Sequence, residues 1–274
     1  MQTTIQSSSP LGTDGDWRRR LLLHHAPLAL ASAALLFVLM SLPRQAQSQM
    51  SMGPGVFPQA APQRVEEGGQ MDGGQRRFFI ARGTTATGYV ATGLLGLTLL
   101  IGPANLVLRR RNPISSYLTR DVGTWAALFS IAHVIFGLTL HSGPQIASML
   151  GYFVAEGRPL LSSFGLGNWT GLAATVIVVG LLAISNDAAL RELKARKWKD
   201  LQRLNYTLFA LVLLHAFFYG ALLRLTSPFT LIGLFTVIAV VVGQAVGVWL
   251  WRRRRTGRLP SSSTPIPGAS AMTT

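Results

Sequence analysis

Six long stretches without a charged residue divide the chain, and they constrain its fold more than any other feature. A helix of about 20 residues crosses the roughly 30 Å hydrocarbon core of a bilayer, and each stretch reaches that length. The stretches are 21–43, 83–108, 122–155, 159–186, 204–223 and 225–251. The third divides into a span over 122–141 and a connector that contains Gly143 and Pro144. The sequence therefore predicts an all-α membrane protein, a bundle of six transmembrane helices.

Basic residues orient these spans. The chain carries 25 lysines and arginines against 10 acidic residues, which gives a net charge of +15. If the N-terminus is inside, 18 of the 25 basic residues lie in inside segments. Since loops on the cytoplasmic side carry the excess of Lys and Arg, both termini are predicted to be cytoplasmic. The same placement assigns the positive charge to membrane lipid, so nucleic acid is not expected as a partner.

Segments outside the spans are predicted to have little fixed structure. Residues 1–20 form a cytoplasmic N-terminal tail, 44–82 a flexible extracytoplasmic loop, and 252–274 a basic and then disordered cytoplasmic tail. The run 21–43 is either the first transmembrane helix or a secretory signal peptide, because three arginines precede it and small residues follow it. Its length favours the helix. No repeat of fixed period is expected.

Two histidines lie inside predicted spans, where a polar side chain is costly enough to indicate function. His133 follows Asp121 by 12 positions, His215 follows Arg203 by 12, and both spans run outward. The two imidazoles are therefore expected at the same depth. Histidines at one depth on two parallel helices can ligate a flat macrocycle from both faces, as in a b-type haem. The alternative is that each histidine hydrogen-bonds a neighbouring helix.

Other polar groups receive separate interpretations. The chain has no cysteine, which excludes thiolate metal sites and covalent haem attachment. His141, near the outer boundary, is either an interfacial residue or a contact of a haem propionate, and Arg82 and Arg158 are further candidate propionate contacts. His24 and His25 are expected to face the lipid headgroups. No acidic residue lies mid-span, so a zinc or di-iron site is not expected.

Several glycines lie inside the spans. Gly167 with Gly171, and Gly243 with Gly247, have the four-residue spacing that permits close approach of helices. Gly88 is expected to make room either for a large ring or for a neighbouring helix.

Two stretches of the chain resemble a known family. Residues 120–125 read Arg-Asp-Val-Gly-Thr-Trp and lead to His133, and residues 198–206 read Trp-Lys-Asp-Leu-Gln-Arg-Leu-Asn-Tyr and lead to His215. Residues 83–251 resemble the ferric reductase-like haem-binding transmembrane domain. The likeness is strongest to the haem-binding membrane subunit of bacterial protein-methionine-sulfoxide reductase systems.

This resemblance implies a single b-type haem with His133 and His215 as its axial ligands. Where the family has a further histidine, thirteen positions before the second ligand, this chain has Gln202. A neutral amide is a poor haem ligand, so a second haem is not expected. The resemblance also implies a multi-pass protein of the bacterial inner membrane.

Electron transfer is the function that the resemblance implies. The electrons would come from a quinol or a cytosolic flavin reductase and pass to a periplasmic redox enzyme, which in the named subfamily is a molybdopterin enzyme that reduces oxidised methionine. Any quinone or flavin is then supplied by a partner. No catalytic residue is expected in this chain, because the chemistry on the substrate belongs to that enzyme.

Two other functions stay open on the sequence alone. A transmembrane reductase could act directly on an external ion such as ferric iron. A transporter or structural membrane protein would need no haem, although the spans lack charged mid-span residues and paired broken helices.

Overall fold

The computed structural model describes residues 21–42, 70–108, 115–142, 149–222 and 227–256. In these residues a π-helical turn, Leu21–His25, leads directly into the first α-helix, and two short strands form an antiparallel ribbon. The helices are α1 (Ala26–Ser41), α2 (Gln70–Val107), α3 (Ser115–Ser142), α4 (Ser163–Ala183), α5 (Asp187–Gln202), α6 (Leu204–Phe218) and α7 (Pro228–Thr256). The strands are β1 (Val154–Ala155) and β2 (Arg158–Pro159).

Six helical segments are long and apolar enough to cross a membrane. They are Leu21–Ser41, Gly74–Val107, Leu118–Leu140, Ser163–Ala183, Arg196–Phe218 and Phe229–Thr256. Large apolar side chains on them are exposed, among them Phe235 and Val176. Lipid tails are as apolar as these side chains, so a membrane helix keeps them on its outer face. The prediction of six helices long and apolar enough to span a membrane is confirmed.

Helix α2 lies at the centre of the bundle. It packs most extensively against α3, and it also contacts α1, α6 and α7. Helix α4 packs along α6, and its contact with α3 joins this pair to the rest. Glycine permits close approach of α2 and α7, since a Cβ on Gly96 would lie 2.8 Å from Thr236 Cγ2 of α7. The two helix pairs, α2 with α3 and α4 with α6, carry the candidate site.

Helix α1 is packed onto this bundle by apolar contacts. Leu39 of α1, Ala86 and Val90 of α2, and Phe229 of α7 form one buried cluster. Phe229 is fully enclosed, and Leu39 is 1% exposed. The first helix is therefore an integrated part of the described structure.

Helix α2 begins much earlier than the sequence analysis expected. The loop prediction for 44–82 is wrong over its last part, because the helix already begins at Gln70. A charged residue ends an apolar stretch, but it does not end the backbone hydrogen bonding of a helix, and Arg and Gln are good helix formers. The rest of that predicted loop, 44–69, lies outside the described residues, as do the tails 1–20 and 257–274.

Candidate functional site

His133 of α3 and His215 of α6 face each other within the bundle. Their ring centroids are 5.9 Å apart, and the ring planes are 85° from parallel. Both side chains are half-buried. The structure thus brings together the two histidines that the sequence singled out.

Each imidazole also binds a backbone carbonyl of the other helix in its pair. His133 Nδ1 lies 2.7 Å from Thr84 O in α2, and His215 Nδ1 lies 2.8 Å from Gly167 O in α4. Because a carbonyl oxygen only accepts hydrogen bonds, each Nδ1 carries the proton and each Nε2 keeps the lone pair. The alternative of a helix-to-helix hydrogen bond therefore holds at Nδ1, and Nε2 is the nitrogen whose lone pair is available to a ligand.

A glycine makes room for each ring. A Cβ on Gly88 would lie 2.9 Å from His133 Nδ1, and a Cβ on Gly171 would lie 2.8 Å from His215 Nδ1. Side chains do not approach a ring nitrogen this closely, so any other residue would displace the histidine from its carbonyl. The room that Gly88 provides is filled by the imidazole itself.

The same arrangement occurs twice along the chain. Residues 87–92 of α2 read Thr-Gly-Tyr-Val-Ala-Thr, and residues 170–175 of α4 read Thr-Gly-Leu-Ala-Ala-Thr, 83 positions later. His215 follows His133 by 82 positions. This likeness of six residues in two places is not a repeat of fixed period, and the sequence analysis did not find it. The shared motif is only six residues long and lies in otherwise dissimilar helices, so the likeness becomes visible when the contacts are compared.

We call the two copies the His133 cradle and the His215 cradle. The His133 cradle consists of Thr84, Thr87, Gly88, His133 and Gly137. The His215 cradle consists, in the same order, of Gly167, Thr170, Gly171, His215 and Tyr219.

Curated relatives identify the family. No protein-family profile matches the chain. It is 29% identical over 186 residues to the protein-methionine-sulfoxide reductase heme-binding subunit MsrQ of Ralstonia nicotianae, covering 67% of this chain and 78% of the relative. It is 30% identical over 177 residues to the MsrQ of Bordetella pertussis, covering 64% of this chain and 78% of the relative. The chain belongs to the MsrQ family. The resemblance seen in the sequence is confirmed.

The segment between α3 and α4 links α3 to the His215 cradle of this MsrQ-family chain. Tyr152 is buried, and its hydroxyl donates to Leu138 O of α3 at 3.3 Å. Its carbonyl accepts from Asn168 Nδ2 of α4 at 3.1 Å. Asn168 Oδ1 in turn accepts from the Tyr219 hydroxyl at 2.6 Å, and the Tyr219 ring lies 4.9 Å from that of His215. A continuous set of hydrogen bonds therefore connects α3, this segment and the His215 cradle.

The three candidate propionate contacts have different places in the structure. Arg82 lies in α2, where its guanidinium donates to Leu42 O and lies 4.9 Å from the Phe78 ring. Arg158 is exposed in β2. His141 belongs to the end of α3, and its side chain lies outside the described part of the molecule. Their role toward a haem stays a prediction.

A second polar cluster lies about 18 Å along α3 from His133, by helical rise. The Asp121 carboxylate is 1% exposed, and its Oδ2 lies 2.8 Å from His24 Nδ1. His25 Nε2 lies 3.6 Å from Oδ1, and Trp125 Nε1 donates to His25 Nδ1 at 3.3 Å. The prediction that His24 and His25 face the headgroups is wrong, because a buried carboxylate requires a donor, which His24 supplies, and His25 lies beside the same carboxylate. Sequence reasoning missed this cluster, having taken Asp121 only as a span boundary.

Gln202, which replaces the further family histidine, lies at the end of α5. Its side-chain oxygen accepts from Asn205 Nδ2 at 3.1 Å, and its carbonyl accepts from the same nitrogen at 3.0 Å. The amide therefore has a local role in joining α5 to α6.

Proposed function

We propose that this MsrQ-family chain holds one b-type haem between His133 and His215 and conducts single electrons to a separate redox enzyme. The observation that carries the proposal is the facing pair of histidines, each with its Nδ1 on a backbone carbonyl. Both relatives are named heme-binding subunits, which supports the same cofactor here.

The spacing of the two rings fits a shared metal. Bonds from imidazole nitrogen to a metal are about 2.0–2.1 Å long, so two rings on opposite sides of one ion have centroids roughly 6 Å apart. The observed separation is 5.9 Å. The glycines provide the second part of the fit, since a Cβ at Gly88 or Gly171 would occupy the space that the rings need.

The residues of this chain bind and orient. When bound, a haem with two imidazole ligands accepts and donates single electrons and has no open coordination position for a substrate. His133 and His215 offer Nε2, while the carbonyls of Thr84 and Gly167 fix the tautomer and the direction of each ring. The chain itself then needs no catalytic residue, and substrate chemistry belongs to the partner.

Arg82, Arg158 and His141 complete the proposed cofactor site as propionate contacts. Arg82 has the strongest support, because its Nε is buried without a hydrogen-bond partner among the described residues. A buried guanidinium nitrogen without an acceptor suits an anionic group. Arg82→Ala is expected to lower haem retention, and unchanged haem content with an unchanged midpoint potential would remove Arg82 from the site.

We also propose an acceptor, which the names of the relatives support, and a donor. The relatives are subunits of a methionine-sulfoxide reductase, so we assign a periplasmic enzyme of that kind as the acceptor. A quinol or a cytosolic flavin reductase is the assigned donor. The excess of basic residues supports both termini on the cytoplasmic side of a bacterial inner membrane. Gln202 in place of a histidine supports a single haem.

One spectroscopic experiment tests the proposal. Dithionite-reduced minus oxidised spectra and haem per chain are measured for the purified wild type, for His133→Ala and for His215→Ala, with His25→Ala as a histidine control. A b-type spectrum with one haem per chain in the wild type and control, lost in both cradle variants, supports the ligand pair. A wild type without haem overturns the proposal, and two haems per chain overturn the single-haem assignment. Reduction of ferric chelates by the purified protein without a partner would favour direct reduction of external iron.

A further inference from the structure

Each cradle contains a threonine hydroxyl at the carbonyl that binds the histidine. Thr87 Oγ1 donates toward Thr84 O at 3.1 Å, the same oxygen that His133 Nδ1 approaches at 2.7 Å. In the second cradle, Thr170 Oγ1 lies 2.9 Å from Gly167 O, which His215 Nδ1 approaches at 2.8 Å. Two separate stretches of helix therefore place a threonine hydroxyl on the one oxygen that orients the histidine, in addition to the helical N–H of the residue four positions on.

An added donor weakens the hydrogen bonds that a carbonyl already accepts. A carbonyl oxygen has two lone pairs, and every hydrogen bond to it draws on the same electron density. When the hydroxyl donates, the oxygen is a poorer acceptor for Nδ1–H, and the imidazole keeps less negative charge. Since a strong bond at Nδ1–H raises the basicity of a ligating imidazole, the hydroxyl has the opposite effect on the ligand.

We propose that Thr87 and Thr170 are positioning residues that set the donor strength of His133 and His215 through the carbonyls they share with them. The proposal rests on the proposed function for its redox consequence. A weaker imidazole donor stabilises the oxidised iron less, so the two hydroxyls raise the midpoint potential of the bound cofactor.

The two threonines are not equivalent. Thr87 Oγ1 is closer to Gly83 O, at 2.6 Å, than to the shared oxygen. Thr170 Oγ1 lies almost equally far from Leu166 O, at 2.8 Å, and from the shared oxygen. A hydroxyl has one hydrogen to divide between two acceptors. Thr170 is therefore expected to have the larger effect.

Matched variants separate this effect from packing. Thr170→Val keeps the shape of the side chain and removes the hydroxyl, whereas Thr170→Ser restores the hydroxyl. Thr175→Val is the control, because the Thr175 hydroxyl donates to Gly171 O at 2.8 Å, a carbonyl outside the histidine contact. Thr87→Val and its control Thr92→Val repeat the test in the other cradle, where Thr92 donates to Gly88 O.

The first readout is the midpoint potential of the holoprotein, from a redox titration of its visible spectrum. Thr170→Val is expected to shift it to lower potential, Thr87→Val to shift it less in the same direction, and Thr170→Ser and both controls to leave it near the wild-type value. Two results overturn the proposal. One is a midpoint potential in both Thr170→Val and Thr87→Val that equals the wild-type value. The other is a shift in the control variants as large as the shift in these two.

The second readout needs no cofactor. In haem-free protein labelled with ¹⁵N-histidine, the Nδ1–H proton of His215 is expected to move downfield in Thr170→Val, because its bond to Gly167 O shortens. His215→Gln assigns the resonance. An unchanged resonance overturns the shared-carbonyl proposal even if the haem binds as proposed. A downfield shift in a protein that never binds haem supports the shared carbonyl and overturns only the proposed function.

Discussion

The two cradles hold their histidines by the same backbone contact but fill the neighbouring space in opposite ways. In the His133 cradle the carbonyl belongs to Thr84, and the position four residues after the histidine is Gly137. In the His215 cradle the carbonyl belongs to Gly167, and the equivalent position is Tyr219. In each cradle a glycine on one helix thus faces a larger residue of the other. The glycine lies on the same helix as the histidine in the His133 cradle, and on the opposite helix in the His215 cradle.

The exchange has a steric reason. A Cβ on Gly167 would lie 2.6 Å from Tyr219 Cε2, so the tyrosine requires a glycine opposite it. A Cβ on Gly137 would lie 3.7 Å from Thr84 Cγ2, an ordinary van der Waals distance. The histidine contact itself uses only backbone, which explains how it persists while the side chains around it differ.

The copies diverge further along α3 and α6. Asp121 of α3 is buried and holds His24, whereas the equivalent position before α6 is Arg203. Arg203 pairs with Asp200 at 2.9 Å, and both side chains are more than half exposed. The position 12 residues before the histidine therefore binds the N-terminal end of the first helix in α3, whereas the equivalent position before α6 makes only an exposed ion pair.

The strongest test of equivalence is the pair Gly88→Ala and Gly171→Ala. Each added methyl would lie within 3 Å of a histidine Nδ1. Overpacking of this kind costs about 1–3 kcal/mol, and the displaced ring also loses its carbonyl bond. Both variants are expected to lose haem and stability to a similar extent, measured by haem per chain and by unfolding in denaturing detergent.

Matched glycines in the same two helices provide the control. Gly93 of α2 and Gly180 of α4 have no atom within 4 Å of an added Cβ. Alanine at either position is expected to keep full haem content. If one cradle variant retains wild-type haem while the other loses it, the two cradles are not equivalent.

The next largest effect is expected at Asp121, where α3 differs from the equivalent position before α6. Asp121→Asn removes the charge from a buried carboxylate with two histidine neighbours, and hydrogen bonds to charged groups contribute about 1.5–3 kcal/mol. Helix α1 should loosen, as seen in lower thermal stability and faster hydrogen exchange in residues 26–41. The control Asp200→Asn disrupts an exposed pair and should cost at most about 1 kcal/mol. An equal loss of stability in Asp121→Asn and Asp200→Asn would contradict the distinction between the buried and the exposed carboxylate.

The sequence predicted the parts of the fold that follow from the length of apolar stretches and from the rise per residue of a helix. Apolar length gave six spans, and helical rise placed His133 and His215 at one depth, where the structure brings them together. The sequence analysis failed where it took a charged residue as the end of a helix, since α2 begins at Gln70 inside the predicted loop. Charge marks the membrane surface, and helix ends follow backbone hydrogen bonding.

The cradles themselves could not be read from the sequence, because they depend on backbone atoms. Nothing in the residue types of Thr84 and Gly167 marks their carbonyls as partners of a histidine. Gly167 and Gly171 were read correctly as a pair that permits close helix approach, but the sequence did not show that Tyr219 and His215 are the side chains they face. Asp121 was missed because its burial depends on α1, whose position the sequence does not give.

A smaller effect is expected from Gly167→Ala, which tests why the copies exchange their large and small residues. The new methyl would press on the Tyr219 ring, at a cost of about 1 kcal/mol, the low end for overpacking, because the ring can move. Thr84→Ala, at the equivalent position of the other cradle, removes a methyl and a hydroxyl that donates to Ile80 O within its own helix, and it keeps the Thr84 carbonyl, so it should cost less. In a Tyr219→Ala background, Gly167→Ala should become nearly neutral, and a double-mutant cycle measures this coupling. A coupling near zero would show that Tyr219 does not require the glycine.

The smallest effect is expected from Tyr219→Phe, which keeps the ring beside His215 and removes only the hydroxyl. That hydroxyl donates to Asn168 Oδ1 at 2.6 Å, and its loss should cost about 0.5–1.5 kcal/mol of stability. Tyr206→Phe is the control, since its hydroxyl donates to Gln244 Oε1 at an exposed site. The haem spectrum should stay unchanged in both, because the Gly167 carbonyl holds His215 without the tyrosine. Loss of haem in Tyr219→Phe would mean that the second cradle depends on a side chain that the first cradle lacks, and the backbone contact alone would then not suffice.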